Sequence, residues 1–342
     1  MSRVSPRWAA GALLSLVLPT IALSAPHDAE PRLDPRRVSP LPSQIRRVQP
    51  AVVGIRVEAA RDRPSVATLG AERWGSGVIF DADHGYVLTV SYVLLDAERI
   101  EVSLRDGRRV PARLIGLDLE VGVGVARLEG PGPWPAATLG DSSTVAAGET
   151  TGTVGVSEAG DLVATASRVQ AVRPFTAPWE YMLDRAFIVA PFNEAFGGAA
   201  LVDARGRVIG VTSLRLGDSP HVNLAIPIEK FLPGKDELLA RGRVMSRAPR
   251  PWLGLYTESV AGGVVVSGLS PVGPARAAGL RAGDIIVRLN DREIASREEF
   301  YRQLWQLAVD QDVQVTVRRP GGTEAITVRP VDRYRFYRTS DK

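Results

Sequence analysis

The stretch FNEAFGGAALVDARGRVIGV, Phe192–Val211, says more about the fold than any other part of the sequence. It predicts a glycine turn, a short strand, a tight hairpin at DARGR and a second strand, since Asp and Gly tolerate the positive φ that such hairpins need. A glycine turn that runs into a strand in this way usually presents a reactive serine. This turn contains no serine, and Gly197 stands at its centre.

Similar short apolar segments precede and follow this stretch. Each is bounded by turn residues, and they recur about 10 residues apart without long helices between them. This spacing predicts a mainly β fold, either an antiparallel barrel or a sandwich. The segments include AVVGIRV, SGVIF, GYVLTVSYVLL, IEVSL, ARLIGL, GVGVARL, FIVAPF and HVNLAIP.

A second, smaller unit is predicted after the polar segment IEKFLPGKDELLARGRV. It combines several strands with one helix, and its length of about 85 residues is normal for a small domain. The helix begins at a capping box formed by Ser296 and Glu299. Phe300, Leu304 and Leu307 follow at helical spacing and predict one buried face.

Composition excludes several classes of function. The chain has 342 residues, a formal net charge of +4 and no cysteine, so disulfides, thiolate catalysis and Cys-based metal sites are ruled out. Only three histidines occur, and no two of them have metal-ligand spacing. The basic residues alternate with acidic ones along the chain, which argues against nucleic-acid binding. We therefore expect no cofactor, no metal and no nucleic-acid partner.

The N-terminus predicts export. Two arginines lie in Met1–Arg7, an apolar run covers Trp8–Leu23, and small residues follow at a cleavage site near Ser24 or Ala25. We interpret residues 1–25 as a signal peptide and the Pro-rich residues 26–42 as a flexible lead-in; an uncleaved anchor is the alternative. No later segment is apolar for long enough to span a membrane. The expected location is outside the cytoplasm, in the periplasm.

The order and spacing of several motifs resemble those of the HtrA/Deg family, in which a trypsin-like double β-barrel precedes a PDZ domain. The matching motifs are GSGVIF, LGDSSTVAAGETTGTVG, GRVIGVTS and NLAIP in the first unit, and WLGLY and GPARAAGLRAGDIIVRLN in the second. The resemblance implies a protease-like domain at 43–232, a linker at 233–247, a PDZ domain at 248–332 and a tail at 333–342.

The resemblance also locates the positions of the family's catalytic triad. The histidine position falls in TVSYVL and holds Tyr92, and the aspartate position falls in GLDLEVGVG and holds Gly122. The serine position falls in NEAFGGAALVD and holds Gly197, or Phe196 if the alignment shifts by one residue. None of these residues is a carboxylate, an imidazole or a serine. The chain therefore resembles a degenerate family member, a pseudoprotease.

Physical chemistry points the same way. A serine nucleophile needs a base within hydrogen-bond reach, and a buried tyrosine is a poor base because burial raises its pKa. Ser91 adjoins Tyr92 and is expected on the opposite face of their strand. The oxyanion hole of the family would be formed at Ala195, Phe196 and Gly197, where Ala195 would be strained if its position requires positive φ. His84 and His221 are expected to be exposed turn residues.

The PDZ-like unit retains the parts that its resemblance to PDZ domains makes functional. Such domains bind a peptide C-terminus as an added strand, and a loop of backbone N–H groups receives the terminal carboxylate. Trp252, Leu253, Gly254 and Leu255 occupy this loop position, and the edge strand continues through Tyr256 and Thr257. The helix would form the opposite wall, with Phe300, Leu304 and Leu307 either lining the pocket or belonging to the core.

Three functions remain open from the sequence. The first is an exported pseudoprotease that binds unfolded or C-terminal peptides of exported proteins, as an adaptor or chaperone-like factor in envelope protein quality control. The second is an active serine endopeptidase with an unorthodox site. The third is a non-catalytic subunit of an active HtrA paralogue. The family resemblance also implies a homo-oligomer, commonly a trimer.

Overall fold

The computed structural model describes residues 42–340. The predicted signal peptide, and all of the predicted lead-in except its last residue, lie outside this range. Within it, the fold is mainly β, as predicted, and consists of two closed six-stranded barrels followed by a smaller sheet domain. None of the helices in residues 42–340 is both long enough and apolar enough to cross a bilayer.

The first barrel is preceded by a short helix, α1 (Ser43–Val48), and is closed in the order β1-β2-β3-β6-β5-β4. Two further helical turns, α2 (Val66–Leu69) and α3 (Ser91–Leu94), follow β1 and β3. Ser91 therefore begins a helical turn, and the expectation that it lies on a strand face opposite Tyr92 is wrong. The strands are β1 (Val52–Ala59), β2 (Glu72–Ile79), β3 (Tyr86–Val90), β4 (Ala97–Ser103), β5 (Arg109–Asp118) and β6 (Val123–Leu128).

The second barrel is closed in the order β10-β11-β12-β9-β8-β7. Its longest hairpin joins β8 to β9, and the loop between these strands contacts the C-terminal unit. Two short helices, α4 (Ile228–Phe231) and α5 (Lys235–Arg241), follow the barrel. The strands are β7 (Thr150–Val156), β8 (Leu162–Ala177), β9 (Tyr181–Ala190), β10 (Ala200–Val202), β11 (Val208–Leu216) and β12 (Val222–Pro227).

One apolar cluster contains residues of both barrels, a smaller one lies within the second barrel, and polar contacts join the barrels where they meet. A Cβ built on Gly54 of β1 would lie 3.1 Å from a methyl group of Val156 on β7, so the two strands approach closely. The buried hydroxyl of Ser76 accepts a hydrogen bond from Val156 N–H (2.8 Å) and donates to the carbonyl of Ala195 (3.0 Å). The first barrel is thereby tied to the turn that precedes β10.

The C-terminal unit contains a sheet in the order β14-β15-β16-β18-β19, with β17 beside β16 and a separate β13-β20 pair. Helix α6 (Pro274–Ala277) is short, and α7 (Arg297–Leu304) packs its apolar face on the sheet. The strands are β13 (Pro251–Trp252), β14 (Leu255–Val260), β15 (Gly263–Leu269), β16 (Ile285–Leu289), β17 (Arg292–Glu293), β18 (Val313–Arg319), β19 (Gly322–Val328) and β20 (Val331–Asp332).

The predicted capping box of α7 is present, with one difference in its partner. The Ser296 hydroxyl accepts a hydrogen bond from Glu299 N–H at 3.2 Å, which satisfies one of the helix's first N–H groups. The Glu299 carboxylate reaches back to the N–H of Ala295 at 2.9 Å, one residue before the cap itself. These bonds fix the start of the helix and therefore the position of Arg297 beside β14.

The segments predicted as linker and tail both pack on the first barrel. The linker contains α5, whose Leu238 is buried. In the tail, Arg338 exchanges backbone hydrogen bonds with Asp96, through Asp96 N–H (3.0 Å) and the Asp96 carboxylate (2.6 Å). The hydroxyl of Tyr334 accepts from Leu119 N–H at 2.8 Å. The C-terminal unit is therefore fastened to the barrels at both of its ends.

Candidate functional site

The positions predicted for the triad histidine and serine lie together in the structure. Tyr92 sits in α3, directly after β3, and Gly197 sits in the turn before β10. A Cβ built on Gly197 would be 3.1 Å from the Tyr92 hydroxyl oxygen. That hydroxyl donates a hydrogen bond to the carbonyl of Ser213 at 2.7 Å. The space that a histidine imidazole and a serine hydroxymethyl group would share is thus filled by the Tyr92 phenol. Its hydroxyl already donates to a backbone carbonyl.

Burial determines what this phenol can do. It raises the pKa of Tyr92 above the value of an exposed tyrosine, because the charged phenolate would lose its hydration. The group therefore stays neutral at physiological pH and acts as a hydrogen-bond donor. A neutral phenol bonded to a carbonyl cannot take a proton from a nucleophile.

The predicted aspartate position, Gly122, is closed by a second tyrosine. Gly122 has a φ of +90°, and a Cβ built on it would lie 2.7 Å from the hydroxyl oxygen of Tyr181. Tyr181 is buried and donates to the carbonyl of Val121 at 2.6 Å. A carboxylate on residue 122 would meet this ring, so the local packing leaves no room for the third triad member.

The turn around Gly197 keeps a rigid backbone without a reactive side chain. Gly198 has a φ of +96° and donates its N–H to the carbonyl of Thr212 at 2.8 Å. The carbonyl of Gly197 accepts from Ser76 N–H at 2.7 Å. Ala195 is not among the described residues with positive φ, so its position does not impose the strain that a positive φ would cause. Its N–H donates to the side-chain oxygen of Asn193 at 2.9 Å.

Both described histidines bond to groups outside this site. His84 Nδ1 lies 3.1 Å from a carboxylate oxygen of Asp81, and His221 Nδ1 lies 2.7 Å from the carbonyl oxygen of Gly217. Among residues 42–340, no group of three His, Cys, Asp or Glu side chains is arranged to hold a metal ion.

The loop predicted to receive the terminal carboxylate of a peptide is bonded to a side-chain carboxylate of the same chain. The N–H groups of Leu253, Gly254 and Leu255 all donate to the side-chain carboxylate of Glu180, over 2.9, 2.7 and 2.9 Å. Glu180 lies at the tip of the β8–β9 hairpin and is only 2% exposed. Gly254 has a φ of +80°, and a Cβ on it would approach Gly273 Cα to 2.5 Å, so this loop requires glycine.

The environment of Glu180 shifts its acidity. Burial raises the pKa of Glu180 to about 7, against the opposing effect of the three N–H donors and of the Arg333 charge. The carboxylate is therefore partly protonated near neutral pH. The affinity of the Glu180 side chain for the loop therefore depends on whether its carboxyl group is ionised.

The same hairpin also bonds to the edge strand and to the helix of the C-terminal unit. Thr257 N–H, on the open edge of β14, donates to the carbonyl of Pro178 at 2.9 Å. The buried Tyr301 hydroxyl lies 2.7 and 2.9 Å from the carbonyl oxygens of Ala177 and Pro178 and accepts from Glu180 N–H at 3.0 Å. The hairpin tip thus lies between β14 and α7.

The other predicted peptide-binding residues lie either beside the loop and its edge strand or in the core of the unit. Trp252 is on β13, with its ring 5.6 Å from that of Phe336 in the tail, so it supports the loop from the side of the tail. Tyr256 is half-buried on β14. Phe300 and Leu304 are fully buried in the core of the unit, where Met182 from β9 joins them.

Three residues at this site were missed by the sequence reasoning: Glu180, Arg297 and Tyr301. Arg297 donates to the carbonyls of Thr176 (3.0 Å) and Thr257 (3.0 Å), and so bridges the hairpin and β14. Tyr301 follows Phe300 and precedes Leu304 by three residues, so the helical spacing could have identified it as part of the buried face. Nothing in the sequence around Glu180 marks it as a partner of a loop 73 residues away.

Comparisons with known proteins agree with this architecture. The family described as "Trypsin-like peptidase domain" matches residues 75–211, and "PDZ domain" matches residues 251–329. A "Probable periplasmic serine endoprotease DegP-like" from Halomonas elongata is 29% identical over 269 residues, covering 74% of this chain and 55% of that protein. The "Serine protease Do-like HtrA" of Bacillus subtilis is 27% identical over 317 residues, covering 83% of this chain and 71% of that protein.

Solved structures give the same result. "HtrA-type protease AlgW with decapeptide" is 25% identical and superposes with a TM-score of 0.53, covering 85% of this chain and 98% of that one. The serine endoprotease from Yersinia pestis is 26% identical with a TM-score of 0.52, covering 84% and 96%. The chain spans just over half the length of the DegP-like relative. A trypsin-like peptidase domain joined to a PDZ domain makes this chain a homologue of the HtrA/DegP serine proteases.

Proposed function

We propose that this protein is a non-catalytic HtrA-like protein whose PDZ domain recognises the C-termini of other polypeptides. The main support for this proposal is the contrast between the cleft of the barrels and the loop of the PDZ domain. The triad positions hold Tyr92, Gly122 and Gly197, whereas the loop at Leu253–Leu255 directs three N–H groups at a carboxylate.

The absence of catalysis follows from the groups available for acyl transfer. The reaction needs a nucleophile, a base within hydrogen-bond distance and a group that orients the base. At the cleft, Gly197 offers no hydroxyl, and Tyr92 is a neutral donor bonded to Ser213. Tyr181 fills the space beside Gly122.

Peptide recognition is supported by the state of the PDZ loop. Converging N–H groups stabilise a carboxylate by charge-assisted hydrogen bonds, and an open strand edge accepts an extended peptide as an added strand. The donor groups for both are present here, at Leu253–Leu255 and at Thr257, where they bond to Glu180 and Pro178 of the β8–β9 hairpin. AlgW, similar in structure, was solved with a decapeptide.

The biological setting that fits is the cell envelope. Several relatives are described as periplasmic, and the first 25 residues have the composition of an export signal. An exported protein that binds C-termini without cutting them would act as an adaptor or a chaperone-like factor in protein quality control.

The first test addresses catalysis. The purified protein should not react with a fluorophosphonate probe and should not degrade casein. Gly197→Ser should also remain unlabelled, because a hydroxyl beside Tyr92 still lacks a base. Labelling of the natural protein, or casein turnover that is lost in Tyr92→Phe, would contradict the proposal.

The second test addresses recognition. A pool of fluorescent decapeptides with free C-terminal carboxylates should bind more tightly than the same pool with C-terminal amides. Gly254→Ala should abolish this preference, because the new methyl group would meet Gly273. Gly283→Ala is the matched control, since Gly283 also has positive φ (91°) but has no atom within 4 Å of the added Cβ. If neither the natural chain nor any variant prefers free carboxylates, recognition of C-termini is excluded.

A further inference from the structure

The tip of the β8–β9 hairpin, residues 176–182, makes the contacts that a bound peptide would make in the groove between β14 and α7. Glu180 supplies a carboxylate to the loop at Leu253–Leu255. Pro178 supplies a carbonyl to the N–H of Thr257 on the open strand edge. Met182 supplies an apolar side chain to the core cluster of the unit. Carboxylate, backbone pairing and apolar side chain are the three elements of PDZ ligand recognition.

The opposite wall of the groove also grips this tip. Arg297 joins the carbonyl of Thr176 to that of Thr257, and its Nε lies 3.3 Å from the Thr176 hydroxyl. The Tyr301 hydroxyl bonds to the backbone on both sides of Trp179. The hairpin tip is therefore fastened by two side chains of α7 in addition to the carboxylate loop.

One feature of the tip opposes this docking. The Glu180 carboxylate is withdrawn almost completely from water, which is costly for a charged group. The carboxylate regains its hydration when the tip leaves the groove. The docked and free states are therefore closer in free energy than the number of hydrogen bonds suggests.

A peptide C-terminus needs the same atoms that Glu180 and Pro178 use. One loop cannot hold two carboxylates on the same three N–H groups, and Thr257 N–H cannot pair with two strands. We propose that the hairpin tip is an intramolecular pseudo-ligand that closes the PDZ domain, and that a free polypeptide C-terminus binds only by displacing Glu180 from the carboxylate loop. This inference rests on the proposed recognition of C-termini and names its regulation.

The consequence for affinity is quantitative. When only a fraction of molecules is open, the apparent dissociation constant equals the intrinsic one divided by that fraction. Removing the pseudo-ligand should therefore tighten peptide binding without adding any contact to the peptide.

The experiment compares Glu180→Ala with the natural full-length chain in fluorescence-anisotropy titrations. The probes are the decapeptide pool with free C-terminal carboxylates and the same pool as amides. We expect Glu180→Ala to bind the free-acid pool at least about tenfold more tightly, with no comparable gain for amides. Asp184→Asn is the matched control: Asp184 is a carboxylate on the same hairpin, but it is 70% exposed and pairs with Lys230, so its removal should leave affinity unchanged.

A second variant guards against an effect of folding. Tyr301→Phe removes the hydroxyl that holds the tip but leaves the carboxylate loop intact, so it should also tighten free-acid binding. Amide hydrogen exchange at residues 253–255 should be slow in the natural chain and faster in both variants. Equal affinities of the natural chain and Glu180→Ala, with free acids preferred in both, would overturn the pseudo-ligand alone. Failure of every variant to prefer free acids would overturn both this inference and the proposed function.

Discussion

The cleft between the barrels and the carboxylate loop of the PDZ domain are both built on glycine turns, but they depend on different parts of the chain. In the cleft, acyl transfer would require particular side chains, and the positions predicted for them, 92, 122 and 197, hold a tyrosine and two glycines. In the loop, the Glu180 carboxylate is held by backbone N–H groups, which do not depend on the side chains of Leu253, Gly254 and Leu255. A site made of backbone groups tolerates sequence changes that would abolish a site made of side chains.

The largest effect is expected where the cleft backbone itself is fixed. Gly198→Ala should destabilise the protein by more than about 4 kcal/mol, because the new Cβ would lie 2.0 Å from the carbonyl oxygen of Ser76 at a φ of +96°. Gly197→Ala, whose Cβ would meet only the Tyr92 hydroxyl at 3.1 Å, should cost less than about 1 kcal/mol. Urea denaturation of both variants measures the difference. Similar stabilities would show that the turn backbone is not rigid and would break the comparison.

A smaller effect is expected at the aspartate position. Gly122→Asp should destabilise the protein by about 3 kcal/mol, as the sum of a positive-φ penalty and a clash with Tyr181. Gly107→Asp isolates the positive-φ penalty, since Gly107 has nearly the same φ (89°) and no atom lies within 4 Å of an added Cβ. Thermal unfolding of the two variants separates the contributions. If both lose the same stability, Tyr181 does not block a carboxylate there.

The smallest effect is a pH dependence of the PDZ loop. Docking raises the pKa of Glu180 from its unperturbed range to about 7, so docking takes up a proton. Closure is then most stable below the unperturbed pKa and weakens as pH rises towards 7, by at most about tenfold per pH unit. Tyr301 on α7, Tyr256 on β14 and Arg333 in the tail are the titratable groups facing Glu180.

This predicts that the affinity advantage of Glu180→Ala over the natural chain shrinks by roughly tenfold between pH 5.5 and pH 8. Taking the ratio of the two affinities cancels the titration of the peptide's own carboxylate. The anisotropy titrations at the two pH values provide the measurement. An advantage that grows with pH would mean that docking favours the charged form of Glu180.

The sequence was sufficient wherever a feature depends on local pattern. Strand spacing and motif order predicted the two-domain β architecture, and the capping residues placed the start of α7. The glycine pattern also located the turn at Gly197 and the loop at Gly254. In each case neighbouring residues along the chain determine the backbone, so the pattern is visible without coordinates.

The sequence was insufficient where distant segments meet. That Tyr181 closes the space beside Gly122 depends on how the second barrel packs on the first. That Glu180 fills the PDZ loop depends on the length of the β8–β9 hairpin and on the placement of the whole C-terminal unit. The wrong expectation for Ser91 arose from assigning local conformation by motif position, since the structure places Ser91 in a helical turn.

The return of the C-terminal tail to the first barrel affects how this protein should be studied. Residues 333–340 lie beyond the matched PDZ region, which ends at 329, and they carry Tyr334 and Arg338 to their bonds with Leu119 and Asp96. An excised PDZ domain would lack both this tail segment and the β8–β9 hairpin, which competes with a peptide for the groove between β14 and α7. Ligand affinities measured on the fragment should therefore exceed those of the intact chain, and the gap between the two would measure the cost of opening.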